Sequence, residues 1–313
     1  MIRFLLGALT AAILSATSGW TYASDTACAR NAIVAAPDGV ALGADCHPGP
    51  ADRTLVFVHG WSQARLVWER QVSALAGDFR IISFDLRGHG ASGRPDNADA
   101  YAGRWVHAQD IGAIFDHFGT ERCAIVVGWS FGAVAASDAA VRLGPARICG
   151  AVFVAGPVRA GSAESTGYFG PLMAKTAAMR DGPADEKEEQ AVERFLIESR
   201  RHGAWDREYF SRLRATNLTL SPQDRRRVAI RPPYDNTAAL NASGIPVLLV
   251  HGDSDPVYRY QASVKAYEEL QHAQLAIYPG IGHWPFLEKA ERFNADLRAF
   301  ADQVFDGDGP LAD

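Results

Sequence analysis

No C-x-x-C pair occurs in this sequence, which holds only four cysteines in 313 residues. A thiolate zinc site therefore has no support, and neither a metal nor a cofactor is expected. One sign of charge does not dominate either. With 31 basic and 36 acidic residues the formal net charge is −5, which gives no electrostatic reason to expect nucleic acid or an anionic membrane as partner. Internal repeats and low-complexity tracts are absent. The apolar stretch from Phe4 to Leu14 is too short to cross a bilayer. Flanked by Arg3 and by small residues up to Thr21-Tyr22-Ala23, it reads as the core of a signal peptide over residues 1–23. Export to the periplasm or the medium is expected, without stable membrane insertion after cleavage; an uncleaved anchor is the alternative.

What remains is ordinary in bulk. Apolar residues make up 48% and charged residues 21%, enough for one large α/β domain or two smaller ones. Export changes the reading of the cysteines, since an oxidising compartment favours disulfides. Cys28 and Cys46 flank "AIVAAPDGVALGADC", two strands around a Pro-Asp-Gly turn, and could be bridged across the hairpin. Cys123 and Cys149 each open an apolar strand, so neighbouring parallel strands would bring them side by side. The pairs 28–46 and 123–149 are expected, with free buried thiols as the alternative.

From residue 54 the chain alternates apolar runs with helical patterns. "TLVFVHG", "RIISFD", "CAIVVGWS", "ICGAVFVAG", "PVLLVHG" and "QLAIYPG" have the continuous Val/Ile/Leu character of strands covered on both faces. Segments such as "WVHAQDIGAIFDHF" and "RFNADLRAFADQVF" carry apolar residues at three- and four-residue spacing. Such alternation implies a mostly parallel sheet flanked by helices, with the N-terminal hairpin as an antiparallel edge. The rhythm breaks between Gly156 and about Gly244. That interval has no strong strand run, but Val192, Phe195 and Leu196 share a helical face. We read 157–244 as an inserted helical cap, 24–156 and 245–306 as the core, and 307–313 as a disordered tail. A helical outer layer with no role at the site is the alternative for the insertion.

"GWSFG" at 128–132 stands where a strand becomes a helix. Alone it is weak, because G-x-S-x-G arises by chance in roughly one chain in ten of this length. Its context matters more. A serine on such a turn is held in a strained conformation that projects its hydroxyl above the sheet edge, at a helix N-terminus. A hydroxyl nucleophile needs a base. Of the nine histidines, His283 in "YPGIGHWPFLE" follows the last strand in a glycine-containing loop. The others read as helical (His107, His117), solvated (His202, His272), in turns (His47, His89) or at strand ends (His59, His251). The third member should be a carboxylate that orients the imidazole. "LLVHGDSDPVY" offers Asp253 and Asp255; Asp255, before Pro-Val, is preferred, and Asp253 fits turn chemistry. Backbone amides of Phe131 and of Trp61 in "VFVHGWSQ" are the expected oxyanion donors.

Five ordered segments carry a resemblance. "HGW" at 59–61, "FDLRGHGASGRP" at 84–95, "GWSFG" at 128–132, "HGDSDPV" at 251–257 and "GIGHWPFLE" at 280–288 resemble the α/β-hydrolase superfamily. The match is to its capped serine esterase, haloperoxidase-like and C–C hydrolase branch, over about Thr54 to Phe305. The resemblance implies Ser130 as nucleophile, Asp255 as acid, His283 as base, and Arg87 to Ser92 as a structural loop. Serine at the elbow speaks against the dehalogenase and epoxide-hydrolase relatives, which use aspartate there. No carboxylate follows "AVFVAG", so the acid position of some relatives is vacant.

The leading expectation is therefore a serine hydrolase acting on an ester, thioester or lactone of a small-molecule substrate. C–C hydrolysis, amide hydrolysis or cofactor-free perhydrolysis would use the same triad; a non-catalytic binding member is the third reading. Trp129, Tyr168, Phe169, Trp205 and Trp284 are expected to wall an apolar acyl pocket. Arg225, Arg226, Arg227 and Arg231 cluster in "DRRRVAIRPP", and a solvated charged face is expected there rather than a carboxylate site.

Overall fold

The computed structural model describes residues 28–120, 122–181, 187–230 and 232–307, leaving aside the side chains of Ala177 and Ala178. The expected signal peptide, Arg231 and all of the expected tail beyond Gly307 lie outside the described residues.

Each apolar run read from the sequence forms a strand. The strands are β1 (Ala32–Ala35), β2 (Ala41–His47), β3 (Thr54–Val58), β4 (Arg80–Phe84), β5 (Ala124–Trp129), β6 (Ile148–Val154), β7 (Arg159–Ala160), β8 (Tyr234–Asp235), β9 (Val247–Gly252) and β10 (Ala273–Tyr278). Eight of them make one sheet in the order β1-β2-β4-β3-β5-β6-β9-β10. From β4 to β10 neighbours are parallel, while the hairpin β1-β2 adds the antiparallel edge. Every residue of β3, β4 and β5 is buried. Alternation along β3 shows why: Leu55 and Phe57 join one apolar cluster, Val56 and Val58 the other. A strand packed on both faces must be apolar throughout.

Helices cover those faces. In chain order they are α1 (Glu69–Leu75), α2 (Asp99–Ala102), α3 (Val106–His117) and α4 (Phe131–Leu143). Within the insertion follow α5 (Ala163–Gly167), α6 (Pro171–Lys175), α7 (Ala177–Asp181), α8 (Glu188–Glu198), α9 (Arg207–Leu218) and α10 (Pro222–Val228). The chain closes with α11 (Thr237–Ser243), α12 (Gln261–Glu269), α13 (Pro285–Glu288) and α14 (Ala290–Asp306). Leu75 of α1 and Phe293, Leu297 and Phe300 of α14 pack on one face, and Val192, Phe195 and Leu196 of α8 join the same apolar cluster from the insertion. Ile111 and Ile114 of α3, Ala135 and Ala139 of α4, and Ala266 of α12 cover the other. The last part of the interval read as insertion belongs spatially to the core, since α11 packs on α4 and Asn236 donates to Ser137 Oγ and Asp138 Oδ1.

The cysteines pair as 28–46 and 123–149, with Cα separations of 4.8 and 5.3 Å. The second pair ties the starts of the neighbouring strands β5 and β6. No described helix is long and apolar enough to cross a membrane.

Candidate active site

Ser130 occupies the single residue between β5 and α4. Its backbone has φ 54° and ψ −117°, a conformation that costs a non-glycine residue on the order of 1–3 kcal/mol and persists only where the surroundings impose it. Here the Ser130 amide donates to Val154 O of β6 (2.8 Å) and its carbonyl accepts from Ala133 N (3.0 Å). The flanking glycines are required by close approach. A Cβ on Gly128 would sit 2.2 Å from Gly132 O, and one on Gly132 would sit 2.3 Å from Val58 O. The first turn of α4 thus lies directly against the end of β3. Ser130 is half-buried.

The loops after β9 and β10 bring a carboxylate and an imidazole together. His283 Nδ1 lies 2.7 Å from Asp255 Oδ2, and both side chains are buried. Asp255 Oδ1 accepts from Val257 N (2.7 Å) and Tyr258 N (3.1 Å), so the Pro-Val turn aims the carboxylate. Burial pushes the Asp255 carboxyl up, but the charge of His283 and hydrogen bonds from His251 and His283 outweigh it and hold the pKa well below the usual carboxylate range. Asp253, the other acid candidate, is exposed; it accepts from Gly280 N and Ser254 Oγ and serves the turn.

The sequence reading placed His251 only at a strand end. Its ring is buried, with Nε2 3.1 Å from Asp255 Oδ2 and 2.8 Å from Tyr258 O, and Nδ1 2.7 Å from Ser263 Oγ. Asp255 is therefore flanked by two imidazoles. An imidazole four residues from a carboxylate in "HGDSD" was the available signal, but only the fold shows that they meet.

The loop after β3 runs beside the elbow: a Cβ on Gly60 would stand 3.2 Å from Ser130 Cβ. This places the Trp61 backbone next to Ser130, and Phe131 follows Ser130 directly. Two buried histidines fix this loop. His59 Nδ1 meets Gly60 O (2.8 Å) and Nε2 accepts from Leu86 N (3.0 Å). His89 Nδ1 meets Arg87 O (3.1 Å) and Nε2 accepts from Ser62 N (3.1 Å). Each ring thus donates at Nδ1 and accepts at Nε2, as a neutral imidazole must. Burial lowers the pKa of His59 to about 4 and that of His89 to about 3. Arg87 sits in the same 87–92 loop, buried, with Nε and Nη2 on the Asp110 carboxylate at 2.8 and 2.6 Å.

Ser130, Phe131 and His283 open on one cavity of about 260 Å³. Trp61, Trp129, Ala155 and Val257 line it from the core side; Phe169, Met173, Phe195 and Ala229 line it from the insertion. Among the described lining residues Arg180 carries a formal charge, and its guanidinium pairs with Asp181 at 2.8 Å. Of the five aromatics expected to wall a pocket, Trp129 and Phe169 do. Three do not. Trp284 is fully buried, packed against Trp129 in a tilted pair with ring centroids 4.1 Å apart and donating to Ser199 Oγ (2.7 Å). Trp205 packs edge-on to Trp284 (5.7 Å) and lies under the Arg200 guanidinium (4.5 Å). Tyr168 reaches outward to Glu164.

The arginine cluster also divides. Arg226 is exposed and Arg227 pairs with Asp224, but Arg225 is completely buried instead of contributing to the expected solvated face.

Comparisons with known proteins agree with this geometry. A family model described as "Alpha/beta hydrolase family" matches residues 55–296. The pimeloyl-[acyl-carrier protein] methyl ester esterase of Nitrosomonas europaea is 31% identical over 255 residues, covering 76% of this chain and 92% of that protein. A bifunctional esterase/perhydrolase of Acinetobacter calcoaceticus is 26% identical over 275 residues, covering 80% and 93%. Among solved structures, the esterase RhEst1 from a Rhodococcus species superposes with a TM-score of 0.80 at 28% identity, over 87% of this chain and 98% of that one.

Proposed function

The chain belongs to the alpha/beta hydrolase family, and from that premise we propose that it cleaves a carboxylic ester, thioester or lactone of a small to medium apolar substrate through an acyl-enzyme on Ser130. The observation that carries this reading is the strained serine opening on the same apolar cavity as an imidazole held by a buried carboxylate. Ser130 Oγ attacks the carbonyl carbon while His283 takes the hydroxyl proton at Nε2. Asp255 holds Nδ1–H and stabilises the imidazolium that forms. The amides of Trp61 and Phe131 stabilise the oxyanion. The protonated His283 then delivers its proton to the leaving oxygen. Water, deprotonated by His283, attacks the acyl-enzyme; the acyl C–O bond to Ser130 breaks, His283 returns the proton to Ser130 Oγ, and the acid is freed. Residues 157–235 act as a cap whose apolar side chains hold the acyl group. The two disulfides fit an exported protein folded in an oxidising compartment.

A fluorophosphonate probe followed by peptide mapping tests the nucleophile. The expected outcome is stoichiometric labelling of Ser130 and loss of ester turnover in Ser130→Ala. An unlabelled Ser130 in folded protein, or an active Ser130→Ala, overturns the mechanism. Panels of nitrophenyl esters, β-diketones and peroxide separate the bond types; turnover confined to the diketones or to peroxide replaces ester cleavage with C–C hydrolysis or perhydrolysis on the same residues.

A further inference from the structure

Arg225 is the fully buried member of a cluster expected to face solvent. A guanidinium out of water is costly unless every N–H finds a partner. All five do. Nε donates to Ser62 Oγ (2.9 Å), Nη1 to Met179 O (3.0 Å) and Glu188 Oε1 (2.5 Å), and Nη2 to Asn217 O (2.7 Å) and Asn217 Oδ1 (3.2 Å). Four of these partners belong to the insertion and would suffice to fold it around the charge. The fifth does not belong there: Ser62 lies in the loop after β3.

Ser62 is one of the few non-glycine residues with positive φ, at 61°. Like the elbow serine, it needs its conformation imposed from outside. The core supplies one hold, the His89 ring accepting from Ser62 N. The insertion supplies the others, since the Ser62 hydroxyl accepts from Arg225 Nε and donates to Asn217 Oδ1 (2.9 Å). The same arginine grips the neighbouring residue through its backbone. Helix α10 ends in a tight turn, with Ala229 N bonded to Arg226 O, which leaves the Arg225 carbonyl for the Trp61 indole N–H (3.1 Å).

We propose that Arg225 is a positioning residue: from the insertion it clamps Ser62 and Trp61 and so keeps the Trp61 amide directed at the carbonyl that Ser130 attacks. This rests on the assignment of Trp61 as an oxyanion donor. The clamp makes closure of the helical insertion a condition for a competent oxyanion site, because the loop's strained residue is held from both layers.

The test compares Arg225→Met and Ser62→Ala with the unaltered chain on a nitrophenyl ester, alongside Tm and affinity for a trifluoromethyl ketone, which forms a tetrahedral adduct. Each variant is expected to lose about tenfold in kcat with KM within threefold, short of the roughly 10²–10³-fold cost of deleting an oxyanion donor outright. Ketone affinity should fall in parallel. The double variant should be no slower than the slower single one, since both changes break the same contact. If Arg225→Met does not fold, Ser62→Ala decides alone. A kcat within twofold of the unaltered chain in a folded variant, or losses that multiply in the double variant, overturns the proposal; so does a fall in Tm with kcat unmoved. Failure here is distinguishable from failure of the mechanism, because the latter requires that Ser130 of the unaltered chain resist fluorophosphonate.

Discussion

The sheet-borne loops and the helical insertion that meet at the cavity are held by different physics. Ser130, Asp255 and His283 leave the ends of buried parallel strands, and their backbones are fixed by bonds to neighbouring strands and turns, such as Ser130 N to Val154 O. Among the described residues the insertion contributes no strand to the main sheet. It is fastened instead to the loops that carry Asp255, His283 and Ser62. Gly170 N and Leu172 N donate to Val257 O and Pro256 O beside the acid, His283 N donates to Ser199 O, and Arg225 grips Ser62. A parallel sheet specifies its loop positions through the regular ladder. A helical cover specifies its own through a handful of contacts, so it can change its cavity-facing side chains while the chemistry below stays fixed.

The sharpest way to break this contrast is to damage the core machinery alone. Asp255→Asn keeps the shape but loses the charge that holds the His283 tautomer, and kcat should fall about 10⁴-fold for every substrate. Steady-state kinetics on short and long acyl esters check it; a loss restricted to one chain length would mean that Asp255 acts on the substrate and not through His283.

A second test addresses the core's response to acid. His59 and His89 are neutral and buried, with pKa values lowered to about 4 and about 3, whereas an unfolded histidine titrates near ~6.5. Between those values the unfolded chain binds more protons, so their contribution is complete above the unfolded pKa and lost as pH falls through the folded ones. Stability should drop by several kcal/mol (~1.4 per unit of displacement) from about pH 6.5 to pH 4. Denaturant unfolding across that range should show a shallower decline for His89→Asn, which has no imidazole to protonate. Equal slopes would place the acid sensitivity elsewhere.

The smallest effect belongs to the insertion. Met173→Ala and Phe195→Ala widen the cavity without touching Ser130, Asp255 or His283. Relative kcat/KM between short and long acyl esters should move by about 3- to 10-fold, with turnover of the better substrate retained. A uniform fall across chain lengths would show that the insertion governs chemistry at these positions and not selection.

Much of the core was open to reading because its signals are local. Runs such as "TLVFV" and "AIVVGW" have to be apolar on both faces, and the elbow needs Gly128 and Gly132 within five residues of one another. The choice of Asp255 over Asp253 also rested on a local feature, the turn at Pro256, and the exposed Asp253 accepts instead from Ser254 Oγ and from Gly280 N in the loop after β10. The cavity was less open. Trp284 adjoins His283 in sequence, yet its ring turns into the core against Trp129, while Met173 and Tyr234, unremarkable in sequence, reach the cavity. The roles of His251 and Arg225 were harder to read for another reason: their partners, Ser263 and Tyr258 in one case and Ser62 in the other, are set by how loops and helices close on each other.

By itself the sequence determined the strand–helix alternation, the parallel sheet with its antiparallel hairpin edge and the order of serine, carboxylate and histidine. Periodicity and turn chemistry act over a few residues, and the order of motifs along the chain is read directly. Only the tertiary structure decided which aromatics face the cavity, that a second imidazole meets Asp255, and that one arginine of a charged cluster is buried against Ser62. Those outcomes depend on the directions in which side chains leave packed helices and loops, and such directions are fixed by contacts up to 163 positions apart in the chain.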